Sequence, residues 1–246
     1  MLYIVVHQGH GIGICNKKHL RSESFADAFV LLYYVFGSIA IANNRKTCYN
    51  DRNYDKRRAA MRKNLKAKAY VYPLPVLIVG TYDENGVPDA MNAAWGMVCD
   101  TAQVSICLSA GHKTVKNLLK TKAFTVAIAD VKNVVPADYV GVVSANSVPD
   151  KLKNTGWHIT RSEFVNAPII EELPLVLECK LVSYDTDTEI CIGEVVNVSV
   201  DEGILDENGK IDLTKFEPIC YDCCGHGYFK LGEKVGNAFS DGLKLK

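Results

Sequence analysis

The stretch that decides the fold runs from Asn92 to Asn117. It reads Asn92-Ala93-Ala94-Trp95-Gly96, then Val104-Ser105-Ile106-Cys107-Leu108-Ser109, then Ala110-Gly111-His112-Lys113-Thr114, with Asn117 one turn on. The middle piece alternates large apolar with small residues and predicts a strand. The last piece predicts a helix: Val115, Leu118 and Leu119 fall at i, i+3 and i+4, while Lys113, Lys116, Asn117 and Lys120 take the other face. The first backbone N–H groups of a helix have no partner within it, and the helix dipole leaves partial positive charge there. A strand ending in Ser109, a small-residue turn and a helix opening on His112, Lys113 and Thr114 therefore make a place for an anion, and a phosphate suits it.

Working outward, Pro73-Leu74-Pro75 precedes Val76-Leu77-Ile78-Val79, a continuous apolar run expected of a strand buried on both faces. Asn85-Gly86 is a strong hairpin signal, so residues 88–94 return as the next strand and carry Asn92, Ala93 and Ala94 to its far end. After the helix, residues 124–129 form another strand, with Phe124, Val126 and Ile128 on one face and Thr125, Ala127 and Ala129 on the other. That small-residue face leaves room for something flat or for close packing of another sheet. A short helix is expected over 133–140. The second half is a meander: residues 175–183 alternate with period two, and Ile190, Ile192, Glu194, Val196, Val198 and Val200 are expected to share one face of the next strand. Asp206-Glu207-Asn208-Gly209 repeats the earlier turn tetrapeptide between unmatched flanks, so it is turn chemistry used twice and not an internal repeat.

Six or seven short strands with one well-placed helix, and no βαβ alternation, indicate a mainly β fold: a small Greek-key or split β-barrel. A doubly wound dinucleotide fold is disfavoured, because Gly9-His10-Gly11-Ile12-Gly13 lacks the strand-then-helix context that motif needs.

The chain has 246 residues and 48% hydrophobic content, enough for one or two packed domains. Lys+Arg and Asp+Glu are equal at 28 each, which gives no overall field toward nucleic acid or an anionic membrane. The nine cysteines are scattered and odd in number, which reads as reduced, buried thiols in a cytoplasmic protein and not as a disulfide framework. Cys220, Cys223, Cys224 and His226 invite a zinc reading, but a structural site draws ligands from two knuckles, and no metal is expected. A redox thiol pair is the alternative there, although a vicinal Cys223-Cys224 disulfide would be strained.

Residues 1–60 read differently from the rest. An apolar run from Phe25 to Ala42 follows Lys17, Lys18 and Arg21, and a polar, charged tail follows it. As a signal peptide it has late basic residues and an intruding Asp27; as a membrane anchor it is short for a span. The third reading takes Met61 as the start: if Arg57 and Arg58 are both AGG codons, they spell a ribosome-binding sequence two codons upstream, and residues 1–60 are a non-native or leader extension before a domain at 61–246. A CGN codon at both positions removes that reading.

The ordered motifs Pro75-Val76-Leu77-Ile78-Val79-Gly80-Thr81, Asn92-Ala93-Ala94-Trp95, Leu108-Ser109 with His112-Lys113-Thr114 and Asn117 resemble the flavin reductase-like FMN-binding proteins, and among them the flavoredoxin branch. The likeness continues through Asp138-Tyr139-Val140-Gly141, Pro149-Asp150-Lys151, Phe164-Val165-Asn166-Ala167-Pro168, Gly193-Glu194-Val195 and Tyr228-Phe229-Lys230-Leu231-Gly232. It implies an FMN-binding split barrel that forms homodimers, with the flavin in a cleft near the subunit interface.

On that resemblance, Asn92, Ala93 and Ala94 present backbone groups and the Asn92 amide to the polar edge of the flavin ring, against the plain alternative of a strand end with a turn-forming Asn. Trp95 is either core or a stacking partner. Ser109, His112, Lys113 and Thr114 hold the phosphate, and Asn117 either touches it or fixes the shape of the loop. Lys151 and Tyr228 line the cleft or its nicotinamide side. The chemistry then belongs to FMN, so no side chain need be a catalytic nucleophile or base. Two functions follow: an NAD(P)H-dependent flavin reductase or related FMN oxidoreductase, and a flavoredoxin-like carrier that passes electrons from a protein donor without nicotinamide turnover. A third is a binding domain that has lost FMN.

Overall fold

The computed structural model describes residues 2–6, 12–16 and 62–246. The chain divides into two compact units, 1–67 and 68–246. In the first, β1 (Leu2–Val6) and β2 (Ile12–Asn16) pair antiparallel, a hairpin that reading residues 1–60 as an unstructured or apolar extension did not anticipate. The apolar run from Phe25 to Ala42 and the proposed start at Met61 lie outside the described residues.

The second unit is built on β3 (Leu74–Pro75), β4 (Leu77–Tyr82), β5 (Pro88–Ala93), β6 (Gly96–Asp100), β7 (Gln103–Cys107), helix α1 (Lys113–Thr121), β8 (Ala123–Ile128), helix α2 (Val134–Val142), β9 (Ile159–Arg161), β10 (Pro168–Ile170), β11 (Leu175–Tyr184), β12 (Ile190–Val200), β13 (Ile219–Asp222) and β14 (Gly227–Lys230). Seven strands form one antiparallel sheet in the order β5-β4-β8-β11-β12-β7-β6, curled as a split barrel. A three-stranded sheet, β14-β13-β3, and the β9–β10 hairpin complete it. Among the described residues no helix is long and apolar enough to cross a membrane.

β4 shows why the 76–79 run is apolar throughout. Leu77 and Val79 enter a core with Ile106, Leu118 and Phe124, while Val76 and Ile78 enter a second core with Val140, Trp157 and Val176. The strand is a wall between the two. Helix α1 closes the first core with Val115 and Leu118, and α2 closes the second with Ala137 and Val140. α1 stops where Lys122 takes a left-handed φ of 57° and its N–H returns to the Leu118 carbonyl.

Three local expectations change. The small-residue face of β8 takes close packing and nothing flat: the Thr125 hydroxyl donates to the Pro168 carbonyl at 2.7 Å, and Ala127 and Ala129 lie in the second core. Strand β6 is an addition that no alternation in 96–100 had indicated, because an edge strand exposed from Met97 to Asp100 has no buried face to pattern.

The expected common face of β12 fails at a bulge. Cys179 pairs with Val195 but Glu178 pairs with Asn197, so Val196 is an extra residue and the alternation inverts across it. Before the bulge the buried residues are Cys191 and Gly193, and Ile190 is exposed. Val195 then meets the first core, while its neighbour Val196 packs on Ala123, Val165 and Ala167. Gly193 is required, since a Cβ there would overlap the Phe124 ring.

Candidate functional site

Two clefts, of about 500 and 410 Å³, share Met91, Asn92, His112, Gly141 and Val142 and so form one continuous depression. Its larger end is walled by the end of β5 with Ala94 and Trp95, by Leu108 and Ser109 beyond β7, by α2, and by the β13–β14 hairpin. Its smaller end opens at Gly111 to Thr114, where α1 begins.

The structure brings together ten of the eleven residues singled out from sequence along this cleft, and leaves Asn117 aside. Asn117 is buried and donates to the Thr81 hydroxyl at 3.2 Å, which fastens α1 to β4 without reaching the helix-start loop. Asn92 donates its side-chain N–H to the Ala137 carbonyl at 3.0 Å. α2 passes so near that a Cβ on Gly141 would lie 2.9 Å from the Asn92 Cβ, so glycine sets the width of the slot. Ala93 turns its methyl into the core and offers only backbone. Trp95, expected most simply as core, is 63% exposed at the cleft's lip, because the chain leaves β5 here and enters an edge strand.

At the helix start the side chains divide into committed and available groups. Thr114 is buried, and its hydroxyl donates to Asp89 Oδ2 at 2.6 Å. Lys151, also buried, donates to the carbonyls of Val140 and Val143 at 2.8 and 2.7 Å and lies 3.6 Å from Asp89 Oδ1. Burial lowers the Lys151 pKa, and the Asp89 carboxylate opposes that shift. Lys151 thus closes the carbonyl end of α2 and neutralises Asp89. Lys151 lines the smaller end of the cleft, with its ammonium engaged by two carbonyls and facing Asp89. Lys113 remains: it lies 3.7 Å from Asp83 Oδ2 and lines the smaller end. His112 is the exposed residue preceding α1, and its side chain makes no capping bond.

Two contributors were missed by the sequence reading. Glu189, which precedes β12 with a φ of 59°, accepts from the Ser109 hydroxyl at 2.8 Å and the Ala110 N–H at 2.9 Å. The Ala110 N–H first, then the Ser109 hydroxyl, hold its carboxyl below the usual range. Ser109 is therefore engaged by an internal anion. Asn146 accepts from Lys116 at 3.2 Å and donates to the Gly111 carbonyl at 3.1 Å, tying the loop after α2 to the helix start. Its only sequence signal was a polar residue in a Ser/Asn loop.

The opposite wall is aromatic. Tyr228 donates to Asp138 Oδ1 at 2.7 Å, and burial, then that carboxylate, push its phenol up to about 12. Tyr221 lies 2.7 Å from His226 Nδ1. Among the described residues no cluster could hold a metal ion, and Cys220, Cys223 and Cys224 are free thiols.

A curled antiparallel sheet whose strand ends, helix start and separate hairpin enclose one elongated cleft defines a split-barrel cofactor-binding domain. Residues 69–221 match the flavin reductase like domain, and the chain belongs to that family. It is similar to the flavoredoxin of Desulfovibrio vulgaris (Miyazaki F), at 34% identity and a TM-score of 0.71, over 74% of this chain and 100% of that one. The flavoredoxin from Methanosarcina acetivorans follows at 25% identity and a TM-score of 0.67, over 75% and 100%. The FMN-binding domain of a flavin reductases-like enzyme from Shewanella baltica OS155 shares the fold at 20% identity and a TM-score of 0.61, over 66% and 88%.

Proposed function

We propose that this domain binds FMN along the joined clefts and works as an oxidoreductase resembling NAD(P)H-dependent flavin reductases. The observation that carries this reading is the continuity of the cleft from the start of α1 to the Asn92–Trp95 wall, a shape that suits a phosphate at one end and a flat ring at the other. The donor set fits: unpaired N–H groups of the first helical turn, with Lys113 as a point charge, hold a dianion. The Asn92 carbonyl oxygen and the backbone of Ala93 and Ala94 remain for the polar edge of the ring. Thr114 and Lys151 act from behind, setting where α1 and α2 stand.

When bound, FMN supplies the hydride and single-electron chemistry. The chain's part is to hold it, exclude water from one side and leave the other side to a donor. Trp95 at the lip and the exposed Met97 and Val98 on β6 make an apolar margin that a second copy would cover, in keeping with a homodimer. Reduced thiols suit a cytoplasmic setting.

The alternative, an electron carrier, is favoured by the 34% identity to a flavoredoxin. Anaerobic mixing of the FMN-loaded protein with NADH and NADPH separates the two. Rapid bleaching of the flavin is expected for the enzyme; a flavin that stays yellow until a reduced protein donor is added makes it a carrier. Purified protein that stays colourless in excess FMN overturns both.

A further inference from the structure

The wall formed by β13 and β14 brings two tyrosine hydroxyls and a histidine to the larger end of the cleft. The two tyrosines of this wall differ. Tyr228 has given its proton to a bond with Asp138, and its phenol is held up at about 12. Tyr221 meets His226 Nδ1 at 2.7 Å, in a bond where donor and acceptor exchange with the histidine tautomer, so a proton can pass along it.

His226 is held in place by its turn. Its φ of 57° lies in the left-handed region, which a non-glycine residue keeps only where the surrounding structure imposes it. The turn that imposes this is fixed by the His226 N–H, which donates to the Asp222 carbonyl at 2.9 Å, and by the Tyr72 hydroxyl, which donates to the Asp222 side chain. Of the other protons on the lining, Ser109 gives its own to Glu189, the Cys107 thiol points to the Thr188 carbonyl at 3.9 Å, and His112 stands at the α1 start, away from the hairpin. The space beside the pair is bounded by flat faces. The Tyr221 ring lies 6.0 Å from that of Tyr228 and 6.3 Å from that of His226, and Trp95 stands exposed on the same cleft.

We propose that Tyr221, backed by His226, is the proton donor to a small flat carbonyl acceptor of the quinone class that enters this end of the cleft. The proposal rests on the FMN reading above. A quinone becoming a hydroquinone takes two electrons and two protons. One carbonyl oxygen takes its proton from the Tyr221 hydroxyl, which recovers it from solvent through His226. The electron pair and the other proton arrive as a hydride equivalent drawn from NAD(P)H through FMN. Tyr221 touches the acceptor, and His226 positions and recharges it.

The test uses the FMN-loaded full chain, chemically reduced and mixed anaerobically with duroquinone, whose fully methylated ring resists attack by the free thiols. Ferricyanide, which takes single electrons without a proton, serves as the second acceptor. Tyr221→Phe is expected to slow reoxidation by duroquinone about 100-fold, the lower end of general-acid effects, and to leave ferricyanide unchanged. His226→Gln slows it less. Heavy water slows the duroquinone step more in the wild-type protein than in Tyr221→Phe, because the exchangeable proton on the reduced flavin gives both the same basal effect. Duroquinone titrated into the oxidised protein shifts the flavin absorbance, and more weakly in Tyr221→Phe. Equal losses with both acceptors, no loss with duroquinone, or a wild-type spectrum indifferent to duroquinone overturns the proposal. A chain that takes up no FMN overturns the underlying reading instead.

Discussion

The two ends of the cleft are built on opposite plans. At the helix start, buried polar groups hold one another: Asp89, Thr114 and Lys151 bind three elements together, with Asp89 Oδ1 held by the Lys151 charge at 3.6 Å and by no hydrogen bond, and Asn117 ties α1 to β4. At the hairpin, Tyr221, His226 and Tyr228 are half-buried or exposed and pair in a shallow wall. A buried polar network fixes geometry at high stakes, since removing one member strands the others. An exposed pair costs little to change and is free to meet different partners. On the proposed reading, the fixed end serves the phosphate of FMN and the adjustable end serves what exchanges electrons with it.

The sharpest way to break this contrast is to empty the fixed end. Asp89→Ala leaves the Lys151 ammonium buried without its counter-charge and should cost about 3–5 kcal/mol of folding stability in urea titration. By comparison, Glu84→Ala removes an exposed partner of Lys120 and should leave the midpoint unmoved. If Asp89→Ala also leaves it unmoved, the fixed end is no more demanding than the surface.

Next in size is Lys113→Ala, expected to weaken FMN about tenfold or more in fluorescence titration, the scale of one charged hydrogen bond. Riboflavin, which lacks the phosphate, should bind the two proteins equally. Equal losses for both ligands would mean that Lys113 does not face the phosphate.

At the adjustable end, Tyr228→Phe should cost about 1 kcal/mol of stability or less. The smallest effect concerns Glu189, whose carboxyl is held below its ordinary value of 4.5 by the Ala110 N–H and Ser109 hydroxyl. A depressed carboxyl contributes stability that is complete above its unfolded pKa and lost as pH falls through the folded one. Glu189→Gln should therefore flatten the stability profile only below about pH 4.5; a change of slope near neutrality would point to another group.

The parts legible in the sequence were those with local causes. The doubly buried run of β4, the Asn85-Gly86 turn and the amphipathic start of α1 each follow from a few adjacent residues, and with them came the helix-start end of the cleft. What sequence could not give depends on distant pairings. Glu189 reaches Ser109 across 80 positions, and Lys151 reaches Asp89 only after the sheet has closed. Lys151 reads as a spare cation until its carbonyl partners are known. Trp95 reads as core until β6 proves to be an edge. Of the hairpin wall only Tyr228 was legible, because the pairing of Tyr221 with His226 arises from a turn.

The extra residue at Val196 bears on how this chain tolerates length changes. On either side of it β12 is read in opposite phase, so side chains of both parities face inward along one strand. Deleting that valine would remove one of the ladder's two register shifts, yet it would rotate the Cys191–Gly193 segment by half a period and drive the Ile192 side chain into the space Phe124 fills. A tidier strand would thus be a poorer fit.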